Sequence, residues 1–172
     1  DPYLMMGQRA ARAALDDAGL PYERIEQAYV GYVYGDSTAG QAAVYGVGLT
    51  GIPVINVNNN CSTGSTALYL ARQAVASGAA ECVLALGFEQ MVPGALKGAY
   101  DDRPSPLARF AETMEREQGI DAVAPRAAQF FGGAARAYIA EHGIRADTFA
   151  RISVKARQHA ARNPLAVFRQ TV

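Results

Sequence analysis

The sequence predicts an α/β fold built around a mainly parallel sheet. Three short runs, at 26–35, 53–57 and 82–89, are apolar or rich in β-branched and aromatic residues, as strands are. Between them lie stretches whose small and apolar residues recur at helical spacing. Strands that alternate with helices in this way are typical of right-handed βαβ units, in which the strands lie parallel.

The chain opens with a predicted helix over 4–18, which Gly19 and Pro21 end. The first strand follows at 26–35 and contains Gly31. A glycine inside a strand indicates close packing against a neighbouring element.

A short helix is expected over 39–49, and a buried strand over 53–57. A longer helix is predicted over 64–78 from a stripe with the spacing i, i+3, i+4, i+7. The stripe comprises Gly64, Ala67, Leu68, Ala71, Ala74, Val75 and Gly78. Tyr69 and Leu70 lie off it, so we expect burial on more than one side of this helix. The strand at 82–89 is apolar almost throughout, which predicts that both of its faces are covered.

The composition changes after residue 91. Residues 91–106 are rich in glycine, proline and charge, and helices are predicted at 107–118, 123–142 and 147–162. We therefore predict an α/β domain over 1–91 and a helical domain over 92–172 that does not continue the sheet.

Composition argues against several classes of function. The 16 Lys and Arg residues balance the 16 Asp and Glu residues, so no charge field indicates nucleic acid or a membrane surface. No apolar run approaches the ~18–20 residues that span a bilayer, and no signal-like segment is visible. Two cysteines are too few for a disulfide framework and match no zinc spacing. We expect a cytoplasmic protein with free thiols and no metal, acting on a small molecule.

The most informative residue is Cys61, which follows a predicted strand and lies a few residues before a predicted helix. A helix N-terminus favours a thiolate, because its unpaired N–H groups and dipole stabilise the negative charge. The small residues Ser62, Thr63 and Gly64 would let a substrate carbonyl approach the sulfur and nearby N–H groups. The residues alone support equally well a small buried side chain that caps the helix.

Asn58, Asn59 and Asn60 precede the cysteine. Asparagine tolerates the left-handed backbone conformation that a sharp turn imposes, and its amide can hold the turn by hydrogen bonds. Cys82, by contrast, begins an apolar strand, which favours a structural role.

Several segments resemble one family in order and spacing. They are "NVNNNCSTGSTALYLARQ" (56–73), "AECVLALGFEQM" (80–91), "VGYVYGDSTAGQ" (30–41) and "GIPVINVNN" (51–59). Together they closely resemble the thiolases of the sterol-carrier-protein-2, or lipid-transfer, type. The resemblance extends over the whole chain.

The resemblance implies a thiolase-like fold, with layers of helices around a mixed, mainly parallel sheet. Residues 1–91 would be part of the N-terminal half, without its first strand, and residues 92–172 part of the helical loop domain. The histidine and second cysteine that complete the family's site belong to a second half, so we expect this chain to be incomplete and inactive alone.

The activity implied is acyl-CoA C-acyl transfer through a thioester on Cys61, in fatty-acid or sterol side-chain metabolism. Coenzyme A would be a substrate, with no bound cofactor. A homodimer or dimer of dimers is expected, in peroxisomes if the source is a eukaryote. Two alternatives stay open: a retro-aldolase acting on steroid-CoA side chains with a partner subunit, and a non-catalytic lipid or acyl-CoA carrier.

Further residues have weaker assignments. Ser62, Gly64 and Met91 are candidate substrate-binding residues, although Met91 could equally pack in the core. Glu89 could brace the nucleophile turn or a subunit interface. His142 and His159 are expected on helix surfaces, outside the chemistry. The C-terminal cations are expected to line a solvated helix face, with contact to CoA phosphates as the alternative: Arg151, Lys155, Arg157, Arg162 and Arg169.

Overall fold

The computed structural model describes residues 1–93, 100 and 102–172. The chain divides into two compact units, Asp1–Lys97 and Gly98–Val172. Part of the segment rich in glycine, proline and charge, residues 94–99 and 101, lies outside the described residues.

The first unit alternates helices with strands. Its elements are α1 (Tyr3–Ala18), a short 3-10 helix (Tyr22–Arg24), β1 (Gln27–Gly31), α2 (Ala39–Tyr45), β2 (Val54–Val57), α3 (Thr63–Ala76) and β3 (Val83–Gly87). The strands are parallel and lie in the order β2-β1-β3. The predicted α/β fold with a parallel sheet is therefore confirmed.

All three strands end in one row. Gly31, the last residue of β1, pairs with Val57 of β2 on one side and with Gly87 of β3 on the other. β1 and β3 are shorter than predicted, because the chain leaves the sheet at the two glycines. The segments that follow the strands consequently emerge at the same edge, where ligands bind in open parallel sheets.

The core lies between one face of the sheet and helices α1 and α2. It includes the strand residues Ala28, Val30, Leu84 and Leu86, which pack with α1 and α2 residues such as Leu15 and Val44. Side chains alternate across a strand, so residue 31 faces the other side. There Gly31 lies against Thr63, at the start of α3.

Two predictions about burial were wrong for the described residues. Leu68 and Tyr69 of α3 are 63% and 55% exposed, so this helix is not buried on more than one side. It packs through a narrow row of small residues, Ala67, Ala71 and Ala74. Strand β3 is not fully covered on both faces either, because its Ala85 is exposed.

The second unit is helical over its described residues. It contains α4 (Ala108–Gln118), α5 (Arg126–His142) and α6 (Thr148–Ala160), each within a few residues of its predicted range. Gln129 ties the connection between α4 and α5, because its amide nitrogen donates to the carbonyl oxygens of Asp121 and Ala124 at 2.9 and 2.7 Å. In the ranges that the structure describes, no helix is long and apolar enough to cross a membrane.

Candidate active site

The candidate site begins where β2 ends. Val57 is the last residue of β2, and α3 starts at Thr63, so residues 58–62 form a five-residue turn between strand and helix. Cys61 lies in this turn and is exposed to solvent. Its sulfur lies 4.0 Å from Oδ1 of Asn60. Within the described residues, Cys61 is therefore not the buried, helix-capping side chain of the alternative.

The asparagines hold the turn as predicted. Asn60 has a φ of 50°, in the left-handed region that non-glycine residues rarely adopt. The side chain of Asn59 donates to the Thr66 hydroxyl at 3.0 Å, and Oδ1 of Asn58 accepts from the Asn60 N–H at 3.3 Å. The side-chain hydrogen bonds of Asn58 and Asn59 thus hold the turn around Asn60, the strained residue immediately before Cys61.

Thr63 has a different role from the one expected. Its side chain is 4% exposed, so it does not form part of an open surface for substrate. Its hydroxyl accepts from the Asn59 N–H at 3.0 Å and donates to the carbonyl oxygen of Asn60. One buried hydroxyl therefore closes the turn that carries Cys61.

Gly31 makes this arrangement possible. A β-carbon added at position 31 would lie 2.7 Å from Cγ2 of Thr63 and 2.8 Å from its carbonyl carbon and oxygen. The strand glycine noted in the sequence does mark a close approach, as predicted. Its neighbour is the first residue of the helix behind Cys61.

The other candidate substrate-binding residues lie near the same edge of the sheet. The Ser62 hydroxyl donates to the carbonyl oxygen of Asn59 at 2.8 Å. A β-carbon added at Gly64 would meet no atom within 4 Å, so space around this helix residue is open. Met91 is 55% exposed, which excludes core packing within the described unit. Substrate binding by Ser62, Gly64 and Met91 stays a prediction.

Glu89 bonds to a segment that the sequence did not indicate. Its carboxylate accepts from the backbone N–H groups of Val33 at 2.8 Å and Tyr34 at 3.2 Å. It therefore braces the segment after β1 rather than the residues of the nucleophile turn. No local sequence pattern signals this contact, because the partners are separated by more than fifty positions.

Cys82 and His142 are surrounded by residues that account for them by packing. Cys82 is half-buried and packs against the core of the first unit. His142 lies 4.4 Å, centroid to centroid, from the ring of Tyr138 on α5. Among the described residues, no group of three His, Cys, Asp or Glu side chains is placed to hold a metal ion.

The C-terminal cations are only partly engaged. Arg151 pairs with Asp147 at 2.9 Å, and Arg157 stacks over the ring of Phe168 at 4.8 Å from its centroid. Lys155, Arg162 and Arg169 are exposed. Contact between these cations and phosphate stays a prediction.

Comparison with known families agrees with this geometry. Residues 2–172 match the family described as "Thiolase, N-terminal domain". The chain belongs to the thiolase family. The resemblance noted in the sequence is thereby confirmed.

Relatives of this thiolase-family chain include sterol carrier proteins. It is 48% identical over 169 residues to "Sterol carrier protein 2" of Gallus gallus, an alignment that covers 98% of this chain and 31% of that protein. It is 40% identical to "Non-specific lipid-transfer protein-like 2" of Caenorhabditis elegans, covering 96% of this chain and 41% of that protein. It is 30% identical to "Benzoylsuccinyl-CoA thiolase subunit BbsB" of Thauera aromatica, covering 96% and 40%. The chain spans about a third of the length of the sterol carrier relatives it matches.

Solved structures show the same fold. The thiolase-family chain matches a structure entitled "Ltp2-ChsH2(DUF35) aldolase" with a TM-score of 0.66 and 25% identity, covering 96% of this chain and 40% of that one. It also matches the acetyl-CoA acetyltransferase of Bacillus anthracis with a TM-score of 0.53 and 16% identity, covering 92% and 40%. The second likeness concerns the fold alone.

Proposed function

We propose that this chain supplies the nucleophile of an acyl-CoA C-acyltransferase that forms or cleaves 3-oxoacyl-CoA thioesters. The observation that supports this most strongly is the position of Cys61. Its thiol is exposed in a short, hydrogen-bonded turn immediately before α3, in a chain that belongs to the thiolase family. Cysteine is intrinsically nucleophilic, and a helix N-terminus favours the thiolate that attacks.

In the cleavage direction, the Cys61 thiolate attacks the 3-oxo carbon of the substrate. The bond between carbons 2 and 3 breaks, the two-carbon enolate of acetyl-CoA takes a proton, and the shortened acyl group remains as a thioester on Cys61. The thiol of a second CoA then attacks this thioester, forms the new acyl-CoA and returns the cysteine. Condensation is the same sequence in reverse.

The turn supports the first of these steps. The N–H groups of Ser62 and Thr63 donate within the turn, to the carbonyl oxygens of Asn59 and Asn60 at 3.2 and 3.1 Å. The N–H groups that follow in the first turn of α3 have no partner four residues earlier in the helix, and a helix N-terminus of this kind favours negative charge. The chemistry also needs a proton donor and acceptor. Among the described residues, the hydrogen bond recorded for the Cys61 sulfur is to an amide oxygen, which cannot exchange protons in this way. We therefore propose that acid–base groups come from outside this turn.

A matched pair of variants tests the proposal. The complete protein is incubated with acetyl-CoA or a 3-oxoacyl-CoA, and the intact mass is measured with Cys61→Ala and Cys82→Ala side by side. We expect an acyl adduct on wild type and on Cys82→Ala, and none on Cys61→Ala. Absence of any adduct, or an equal adduct on Cys61→Ala, would show that acyl transfer does not proceed through this residue.

A second candidate is supported by the structural likeness to the protein entitled an aldolase. A retro-aldol cleavage of a 3-hydroxyacyl-CoA side chain breaks the bond between carbons 2 and 3 without a cysteine thioester and without a second CoA. Cleavage by Cys61→Ala in the absence of free CoA would favour this function. Tight acyl-CoA binding without turnover by either route would favour the carrier role that the names of the sterol carrier relatives suggest.

A further inference from the structure

The segment after β1 is held in place by a carboxylate from the segment after β3. Oε2 of Glu89 accepts from the Val33 N–H at 2.8 Å, and Oε1 accepts from the Tyr34 N–H at 3.2 Å. The two oxygens of one carboxylate thus bind two consecutive backbone donors. Bonds from an N–H to an ionised acceptor are about twice as strong as neutral ones.

The Val33 and Tyr34 N–H groups lie outside the sheet. β1 ends at Gly31, so Val33 and Tyr34 lie beyond the described ladder. Val33 is half-buried, and a backbone N–H in such a place loses free energy if it has no partner. Glu89 therefore supplies partners that the sheet cannot.

The segment held by Glu89 lies next to the cysteine turn. A β-carbon added at Gly31, which precedes it, would overlap Thr63, and the Tyr32 N–H donates to the carbonyl oxygen of Val57 at 3.4 Å. Val57 and Thr63 are the residues on either side of the turn 58–62. The two segments consequently share a border along the end of the central strand.

Tyr32, the first residue of the segment, has contacts of its own. The ring of Tyr32 stacks on that of Phe88 with centroids 5.3 Å apart, and its hydroxyl donates to the carbonyl oxygen of Asp36 at 2.9 Å. Tyr34, in contrast, is 42% exposed. Its backbone is fixed by Glu89, while its side chain remains accessible to a ligand.

We propose that Glu89 is a positioning residue, whose carboxylate fixes residues 32–34 as one border of the substrate site beside Cys61. The segment then limits how a chain attached to the reacting carbon can lie. This inference rests on the proposed function for its substrate, an acyl thioester. The hydrogen bonds from the Val33 and Tyr34 N–H groups to Glu89 are independent of that function.

The test uses the complete protein and two probes for Cys61, iodoacetamide and N-octyl iodoacetamide. The variant is Glu89→Gln, which keeps the size of the side chain but replaces one accepting oxygen with an amide NH2. Glu81→Gln is the matched control, because Glu81 is an exposed glutamate at the opposite end of β3. Amide hydrogen exchange at Val33 and Tyr34 is measured in all three proteins.

In Glu89→Gln we expect exchange at Val33 and Tyr34 to accelerate by about tenfold or more, with the remaining β1 amides unchanged. We also expect the ratio of octyl-probe to iodoacetamide rates at Cys61 to change by about threefold or more, because displacement of a positioning segment alters how the chain is held. Glu81→Gln should match wild type in both measurements.

An unchanged probe ratio would overturn the proposal, and so would unprotected Val33 and Tyr34 amides in the wild-type protein. The wild-type exchange measurement can still overturn the proposal if Glu89→Gln does not fold. Neither probe requires acyl transfer. A failure of the proposed function, seen as no acyl adduct from CoA thioesters, is therefore distinguishable from a failure of this inference.

Discussion

Gly31 and Thr63 approach so closely that a methyl group at residue 31 would overlap the threonine. The added carbon would lie 2.7 Å from Cγ2 of Thr63 and 2.8 Å from its carbonyl oxygen. Gly31 ends the central strand and Thr63 begins the helix after Cys61. The helix that follows the cysteine turn can therefore lie this close to the central strand only because residue 31 has no side chain.

The first prediction concerns Gly31→Ala. Because two of the obstructing atoms belong to the backbone of α3, the helix start must move, and we expect a loss of about 1–3 kcal/mol in the free energy of unfolding. We also expect the rate of Cys61 alkylation by iodoacetamide to change, since the start of the helix that follows the cysteine is displaced. Denaturant unfolding and alkylation kinetics measure the two effects.

Gly64→Ala is the control for stability. A β-carbon there meets nothing within 4 Å, and alanine is a better helix former than glycine. We therefore expect Gly64→Ala to be neutral or stabilising. If Gly31→Ala were equally neutral, the close contact between β1 and α3 would not be a constraint.

The second prediction concerns the Thr63 hydroxyl. Thr63→Val keeps the shape of the side chain but removes the acceptor for the Asn59 N–H and the donor to the Asn60 carbonyl. At a site only 4% exposed, we expect a loss of about 1–3 kcal/mol in the free energy of unfolding. Cys61 alkylation should change as well, because the turn loses the bond that closes it.

Thr63→Ser distinguishes the hydroxyl from the methyl group. It keeps both hydrogen bonds and loses only the methyl group that packs against Gly31. We expect its alkylation rate to stay near the wild-type rate. Equal effects of serine and valine would show that packing, and not the hydroxyl, holds the turn.

The third prediction concerns the backbone at Asn60, where φ is 50°. Alanine in the left-handed region is strained, so Asn60→Ala should lower the free energy of unfolding by about 1 kcal/mol. Glycine adopts this region readily, so Asn60→Gly should be much less destabilising. Thermal unfolding of the two variants checks the difference. A larger loss for glycine than for alanine would contradict a conformational origin.

Much of the first unit was predictable because its patterns are local. The spacing of small residues predicted α1 and α3, the asparagines before Cys61 predicted a strained turn, and Gly31 predicted a close approach. Each follows from the conformational preferences of a few neighbouring residues.

What the sequence could not show depends on contacts between distant segments. The burial of Thr63 follows from its meeting with Gly31, and the role of Glu89 from its meeting with Val33 and Tyr34. The apolar composition of β3 predicted two covered faces, but coverage is a property of the neighbours and not of the strand. The composition of a segment indicates which surroundings it tolerates, whereas the fold determines which neighbours it contacts.

The fourth prediction concerns pH and the start of α6. Arg145 and Arg151 both donate to the Asp147 carboxylate, and these bonds lower the pKa of Asp147 below its ordinary value of 3.8. A carboxyl whose pKa is lower in the folded state stabilises that state above the ordinary pKa, and the stabilisation is lost as the pH falls through the lowered value. We therefore expect amide protection factors in the first turn of α6 to decrease between about pH 4 and the lowered pKa.

Two variants serve as controls. The Asp147→Asn side chain cannot titrate, so amide protection in this variant should be lower at neutral pH and should not change with pH in this range. Glu112→Gln, at an exposed position on α4, should behave like wild type. A wild-type profile as flat as that of Asp147→Asn would show that the two arginines do not anchor this helix.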